Sequence, residues 1–377
     1  MTTRIWMQAA ALGLSGALLA GCSDDAETDK AAQSGEADAK TEKAAVNNDQ
    51  ANDEGGDQAN DSATTAEPVS LIFGTGGTSG TYYPIGGALK GVFEASDLID
   101  NIQVVSTGAS VQNINNISDG LNHIAIVMSD VAYDAVNGDN QFDGEPVDIQ
   151  ALAGLYPNVV QIVATDDSGI ENIADLEGKR VGVGKVGSGV EQSATKVIES
   201  AGMSYDDLAQ VSHTGYADSV TSMSNGNLDA AFFTSGVPNS SITGLMQSTD
   251  ITFVPVEGDV ADKLLEEHPY YESYTMPAGA PERYDLAEEV DTVAIRNMLI
   301  VGSDMRDDVA AELTQRFHDY LNSDKISVAA LKQFDADTMN ENLVAPVHPG
   351  AESVYSSVSG DDAADDSQQA EADSNEY

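Results

Sequence analysis

One unit recurs between residues 69 and 358: a short apolar run, a loop of glycine and small hydroxyl residues, then a run at helical spacing. Strand-like runs fall at 71–73, 103–105, 123–127, 159–164, 180–183, 229–233, 251–254 and 292–301. Helix-like runs lie between them at 82–95, 111–117, 191–201, 217–224, 260–267 and 307–321. Strands that alternate with helices predict an α/β fold with mostly parallel sheets and helical crossovers. Ligands of such sheets sit beyond the carboxyl ends of the strands, where loops meet helix starts.

Five loops occupy that position. The first is FGTGGTSGTYYP, residues 73–84. Its glycines let the backbone approach a bound group, and the free N–H groups of the following helix make an anion site. Gly76, Gly77, Thr78, Ser79, Thr81 and Tyr82 are its candidates. Thr107, Gly108 and Ser110 come from the second loop, and Ser129 and Asp130 from the third. The fourth supplies Lys185, Gly187, Ser188, Gly189 and Glu191; the fifth supplies Thr234, Gly236 and Pro238. Each loop taken singly is also explained by turn and cap chemistry. Five in step with alternating strands point to one cleft.

The fourth loop also spells a dinucleotide fingerprint, Gly182-x-Gly184-x-x-Gly187, with Asp206 downstream. An exported chain does not meet nicotinamide cofactors, and the expectation is no cofactor. The five histidines are scattered without ligand spacing, so no metal is expected. No GxSxG elbow is present. The chain reads as a binding protein rather than an enzyme, with an exported enzyme as a remote alternative.

The ends set the compartment. Residues 1–22 read as an export signal too short to span a bilayer. It closes in Leu19-Ala20-Gly21-Cys22, which looks like a lipobox, and Cys22 is the sole cysteine. Lipidation at Cys22 and a periplasmic location follow; a plain secretory signal is the alternative. Ser23 favours the outer membrane. Residues 23–68 and 359–377 are acidic and small, and are expected to form a disordered tether and tail.

The chain has 63 acidic and 16 basic residues, a net charge of −47. Nucleic acid is an implausible partner, because no basic patch exists for phosphates. Acids spread this widely suggest adaptation to high salt, where surface repulsion is screened.

These segments together resemble the TAXI family of substrate-binding proteins, which serve TRAP transporters. GTGGTSGTYYPIGGAL, STGAS, VMSDVAYDA, LYPNVVQIVA, DSGIENIADLEGKRVGVGKVGSGVE, DAAFFTSGVP, TVAIRNMLIV and VHPGA carry the resemblance across residues 70–355. It implies a type II periplasmic-binding-protein fold with two α/β lobes around a ligand cleft. Lobe 1 would hold residues 69–160 and 291–358, and lobe 2 residues 161–290. It implies capture of a small organic anion, an acidic amino acid such as glutamate or a dicarboxylate. Delivery would be to a TRAP transporter membrane subunit driven by an ion gradient, usually sodium. A receptor of the same fold is the alternative. Lys185 departs from the small residue or proline common at its position in the family. Lys185, with Arg296 as second choice, is the expected cation for the ligand.

Overall fold

The computed structural model describes residues 67–332 and 334–358. The expected signal, Cys22, residues 23–66 of the expected tether and the expected tail lie outside the described residues. The ten strands among them are β1 (Val69–Gly74), β2 (Ile99–Val105), β3 (Ile124–Met128), β4 (Ile149–Thr165), β5 (Arg180–Gly182), β6 (Gln210–Ser212), β7 (Ala230–Ser235), β8 (Ile251–Val254), β9 (Tyr271–Met276) and β10 (Val290–Gly302). The main helices are α1 (Tyr82–Phe93), α2 (Ser110–Ser118), α3 (Ser129–Asn137), α4 (Gly189–Ser200), α5 (Tyr216–Ser224), α6 (Ser240–Met246), α7 (Gly258–Glu267) and α8 (Asp307–Leu321). Residues 349–358 are also helical.

The strand order is β2-β1-β3-β10-β4-β7-β5-β6, with β8 on β4 and β9 on β10. The α/β class is as expected, but the sheet is mixed rather than mostly parallel. β1 is parallel to β2 and β3, and β5 is parallel to β6 and β7. β10 runs antiparallel to β3, β4 and β9, and β4 antiparallel to β7 and β8. Two long strands that serve both parallel groups cause this. β4 is parallel to one group and antiparallel to the other.

The register positions the carboxyl ends. Met128, the last residue of β3, pairs with Asn297 of β10. Ser235, the last residue of β7, pairs with Val159 of β4. Val159 in turn faces Ala294 of β10. The parallel groups therefore aim their carboxyl ends at each other across the middle of the β4–β10 pair.

Composition explains the long strands. β4 is buried along almost its whole length, as a strand covered on both faces must be. Its first half escaped the sequence reading because Pro157 looks like a break. The ladder absorbs Pro157 opposite Arg296, where the register shifts before Met298. β6 has three residues, too few for a periodic signal. The third loop of the sequence reading is also corrected: Ser129 and Asp130 are the first turn of α3, which starts directly after β3.

Local rules explain the helices. α8 buries Val309, Leu313, Phe317 and Tyr320 along one stripe and carries Asp307 and Asp308 in its first turn, against the positive end of the dipole. α1 packs against β2 and α8, and α4 against α7. Among the described residues, no helix is long and apolar enough to cross a membrane.

Asp134 of α3 is 2% exposed, and its Oδ2 has no hydrogen-bond partner among the described residues. Burial is the main cause that raises its pKa. A carboxyl whose folded pKa is raised costs stability when ionised. That cost is relieved as the pH falls through the folded value towards about 3.9, the unfolded one. Asp134→Asn is therefore expected to raise the melting temperature at pH 7, with the gain shrinking near pH 4. Melts at both pH values in the same salt check this; an equal gain at both contradicts it.

Candidate functional site

A cleft of about 260 Å³ lies where the carboxyl ends converge. The loops after β1, β2, β5 and β6 line it, together with the first residues of α1, α2, α4 and α5. Met128, Tyr156, Asn158, Thr234 and Ser235 form its floor from the ends of β3 and β7 and from the middle of β4. The first N–H groups of a helix have no acceptor in their own helix. Four helices of nine to twelve residues have their first turns on the lining of this one cavity.

Thirteen of the candidate residues line the cleft: Gly76, Gly77, Thr78, Ser79, Thr81 and Tyr82 from the first loop; Thr107, Gly108 and Ser110 from the second; Lys185, Ser188 and Gly189 from the fourth; and Thr234. Several of their hydroxyls are engaged in the fold. Thr107 Oγ1 donates to the Thr75 carbonyl at 2.9 Å and accepts from Ala109 N at 3.0 Å. Ser110 Oγ accepts from Met128 N, and Ser188 Oγ caps α4 by accepting from Glu191 N at 3.2 Å. Thr78 and Ser79 side chains make no hydrogen bond among the described residues.

Ser129, Asp130, Gly187, Glu191, Gly236 and Pro238 are not among the lining residues. Asp130 is fully buried behind the cleft, 2.8 Å from Lys196 Nζ of α4. Burial opposes the charge on Lys196, but Asp130 and the neighbouring Tyr270 outweigh it and hold the ammonium pKa above its usual value. Glu191 accepts from Gly187 N at 2.7 Å and meets His213 Nδ1 at 3.0 Å, so it braces the fourth loop from behind. Arg296 also points elsewhere: one guanidinium nitrogen donates to the carbonyls of Thr338 and Glu341, both at 3.0 Å.

Lys185 is the one cation on the lining, and it forms no ion pair among the described residues. Its side chain lies across Gly215, where a Cβ would stand 3.0 Å from Lys185 Cε. Among the described residues Asp218 is the one lining carboxylate, and it is exposed. Tyr82, Tyr156 and Tyr216 are lining phenols whose pKa values burial pushes far above the ordinary range. They stay protonated at neutral pH. Tyr216 OH is held by Thr234, donating to its carbonyl at 2.8 Å and accepting from its N–H at 3.2 Å.

Close approach explains one glycine. A Cβ at Gly189 would sit 2.2 Å from Met128 Sδ and 3.1 Å from Ser110 Oγ, so any larger residue would have to displace the Met128 side chain where α4 starts against β3 and α2. Ala109 caps α2 with φ of 76°, a conformation that costs an L residue about 1–3 kcal/mol.

Sequence reasoning missed the wall formed by Thr214, Gly215 and Tyr216. The small-glycine-helix signal was present, but β6 before it is too short and polar to announce a strand. It also missed Tyr156 and Asn158, which lie inside a run that reads only as strand.

The NMT1-like family matches residues 73–357, most of the chain, and the chain belongs to that family. Among solved structures it is similar to the alkanesulfonate-binding protein SsuA from Xanthomonas axonopodis pv. citri bound to MOPS. That match has 15% identity, covers 78% of this chain and 81% of that one, and has a TM-score of 0.44. The periplasmic aliphatic sulphonate binding protein SsuA from Escherichia coli aligns at 13% identity over 72% and 81% of the two chains, TM-score 0.39. A TctC solute binding protein from Polaromonas aligns at 13% identity over 71% and 87%, TM-score 0.41.

The buried pair gives a test that separates folding from binding. Removing one partner of a buried ion pair strands the other charge and costs about 3–5 kcal/mol. Asp130→Asn is expected to lower unfolding free energy by that order in denaturant titrations. A variant as stable as the parent contradicts the structural role given to Asp130.

Proposed function

We propose that this chain is an extracytoplasmic solute-binding protein of the TAXI type. It captures a small organic anion, an acidic amino acid or a dicarboxylate, and delivers it to the membrane subunit of a sodium-driven TRAP transporter. The observation that carries this reading is the convergence of the α1, α2, α4 and α5 N-termini on one small cleft. Each terminus presents roughly half a positive charge to what lies in front of it. Lys185 adds a full charge that no ion pair among the described residues engages. The volume lies just under the usual range for drug-sized ligands, about 300–1,000 Å³.

Binding rather than catalysis fits the ionisable groups on the lining. Burial keeps the three phenols protonated at neutral pH, so they serve as hydrogen-bonding groups rather than as proton-transfer bases. Two lobes, 69–160 with 291–358 and 161–290, would swing about the middle of β4 and β10. Lipidation at Cys22 would tether the protein in the periplasm, at the outer membrane if Ser23 sorts it there.

A net charge of −47 gives no long-range attraction for an anion. At about 1 M salt the Debye length is ~3 Å, so contacts inside the cleft decide. A salt-adapted surface is consistent with a sodium-driven system.

Thermal melts in high salt against acidic amino acids, dicarboxylates, alkanesulfonates and cystine test the reading. A ligand at 100 times its Kd is expected to stabilise the fold by about 2.7 kcal/mol. A shift by sulfonates or cystine with none by any carboxylic acid overturns the substrate class. Lys185→Ala is expected to weaken acid binding about tenfold, ~1.4 kcal/mol, without lowering the melting temperature of the free protein. Unchanged affinity removes Lys185 from the site.

A further inference from the structure

The floor of the cleft carries a hydrogen-bond relay whose direction is fixed. It begins at the Tyr156 carbonyl of β4. Asn297 of β10, fully buried, donates its Nδ2 to that carbonyl at 2.8 Å. Its other amide atom, Oδ1, is therefore an acceptor, and the Tyr82 hydroxyl donates to it. A phenol has one proton, so Tyr82 then accepts only. Asn158 Nδ2 donates to Tyr82 OH at 3.2 Å. Asn158 Oδ1 consequently faces away from the relay, and among the described residues this buried atom has no partner.

No alternative amide orientation satisfies the chain. Turning Asn158 over would set its carbonyl against a hydroxyl with no proton to give. Turning Asn297 over would set two carbonyl oxygens together at Tyr156. Burial keeps Tyr82 protonated, so its proton remains committed. Asn158 is 2% exposed and lines the cleft. Two further buried atoms on the lining, Tyr156 OH and Thr234 Oγ1, also lack partners. Hydroxyls serve as donor or acceptor and discriminate little. An amide carbonyl oxygen only accepts.

Resting on the reading of the cleft as an organic-anion site, we infer that Asn158 Oδ1 reads an N–H or O–H group of the ligand. The cleft takes an acid that also carries an amino or hydroxyl group, and it rejects the same carbon skeleton without that group. The helix N-termini and Lys185 supply donors to the carboxylate oxygens. Asn158 supplies the acceptor that a plain dicarboxylate or an oxo acid leaves empty. A buried acceptor left unmade is penalised by roughly ten- to a hundredfold in affinity.

Titration calorimetry on the full chain in high salt, with matched pairs, tests this: glutamate against glutarate and 2-oxoglutarate, and malate against succinate. The donor-carrying member of a binding pair is expected to be at least tenfold tighter. Asn158→Leu is expected to bring the ratio towards one. Tyr82→Phe frees Asn158 to turn over and is expected to narrow or invert the preference of the amino acid over the oxo acid. Both ratios are internal to one variant, so they hold even where the variant is less stable, and a melt verifies folding. Acid binding with equal affinities within every pair overturns this inference and leaves the proposed function standing; a water resting on Asn158 would give that result. Binding by no organic acid overturns the proposed function and this inference with it.

Discussion

The antiparallel pairing of β4 with β10 is the constraint on which the rest of the structure depends. The two strands run the length of the sheet, and each edge of the pair is offered to a different parallel group. β3 ends against Asn297 and β7 ends against Val159. Each parallel strand feeds a helix at its carboxyl end, so the pairing register decides that two sets of helix starts look at one another. A shift of one residue would turn the β4 side chains to the other face. Asn158 would leave the cleft, and Val159 would take its place.

Charge operates on two scales here. Over the whole chain the acids repel any anion from a distance. Inside the cleft the balance reverses, because among the described lining residues the helix termini and Lys185 meet Asp218 as the one carboxylate. Fixed backbone dipoles suit a salt-rich medium well. They act at contact range, where screening by mobile ions is weakest, and they need no lysine or arginine that the acidic surface would capture. Much of the basic complement is already engaged that way: Arg180 on Asp229, Arg306 on Asp308, Arg316 on Glu312 and Lys90 on Glu94.

The sequence made the alternation of elements and most of the cleft loops legible, because glycine and hydroxyl residues at strand-to-helix junctions have a chemical signature. What stayed hidden has physical causes. Pro157 disguised the first half of β4, since a proline inside an apolar run reads as an end until a register shift on the partner strand accommodates it. Asp130 and Glu191 looked like ligand-facing acids because they sit beside glycine loops. Their first-turn positions on α3 and α4 instead turn them towards Lys196 and His213, and nothing in local spacing distinguishes a helix face from its opposite when both partners lie far along the chain. Lys185 was legible as a lone cation in a loop. Arg296 was not, because its partners, the carbonyls of Thr338 and Glu341, lie in a segment with little periodicity.

The buried amides at the strand crossing are costly to fold and informative for that reason. Asn158, Asn297 and Gln161 lie in the most enclosed part of the sheet, where apolar residues would pack without desolvation cost. Asn297 is repaid by two hydrogen bonds, and Gln161 by Ser235 and Tyr284. Asn158 is satisfied on one side only. A half-satisfied amide in a core is worse than an apolar side chain of the same shape. Its neighbours fix its orientation so completely that relaxation cannot hide the open oxygen. The fold therefore holds an unmade hydrogen bond where both parallel groups, the proline-shifted register and the start of α1 meet.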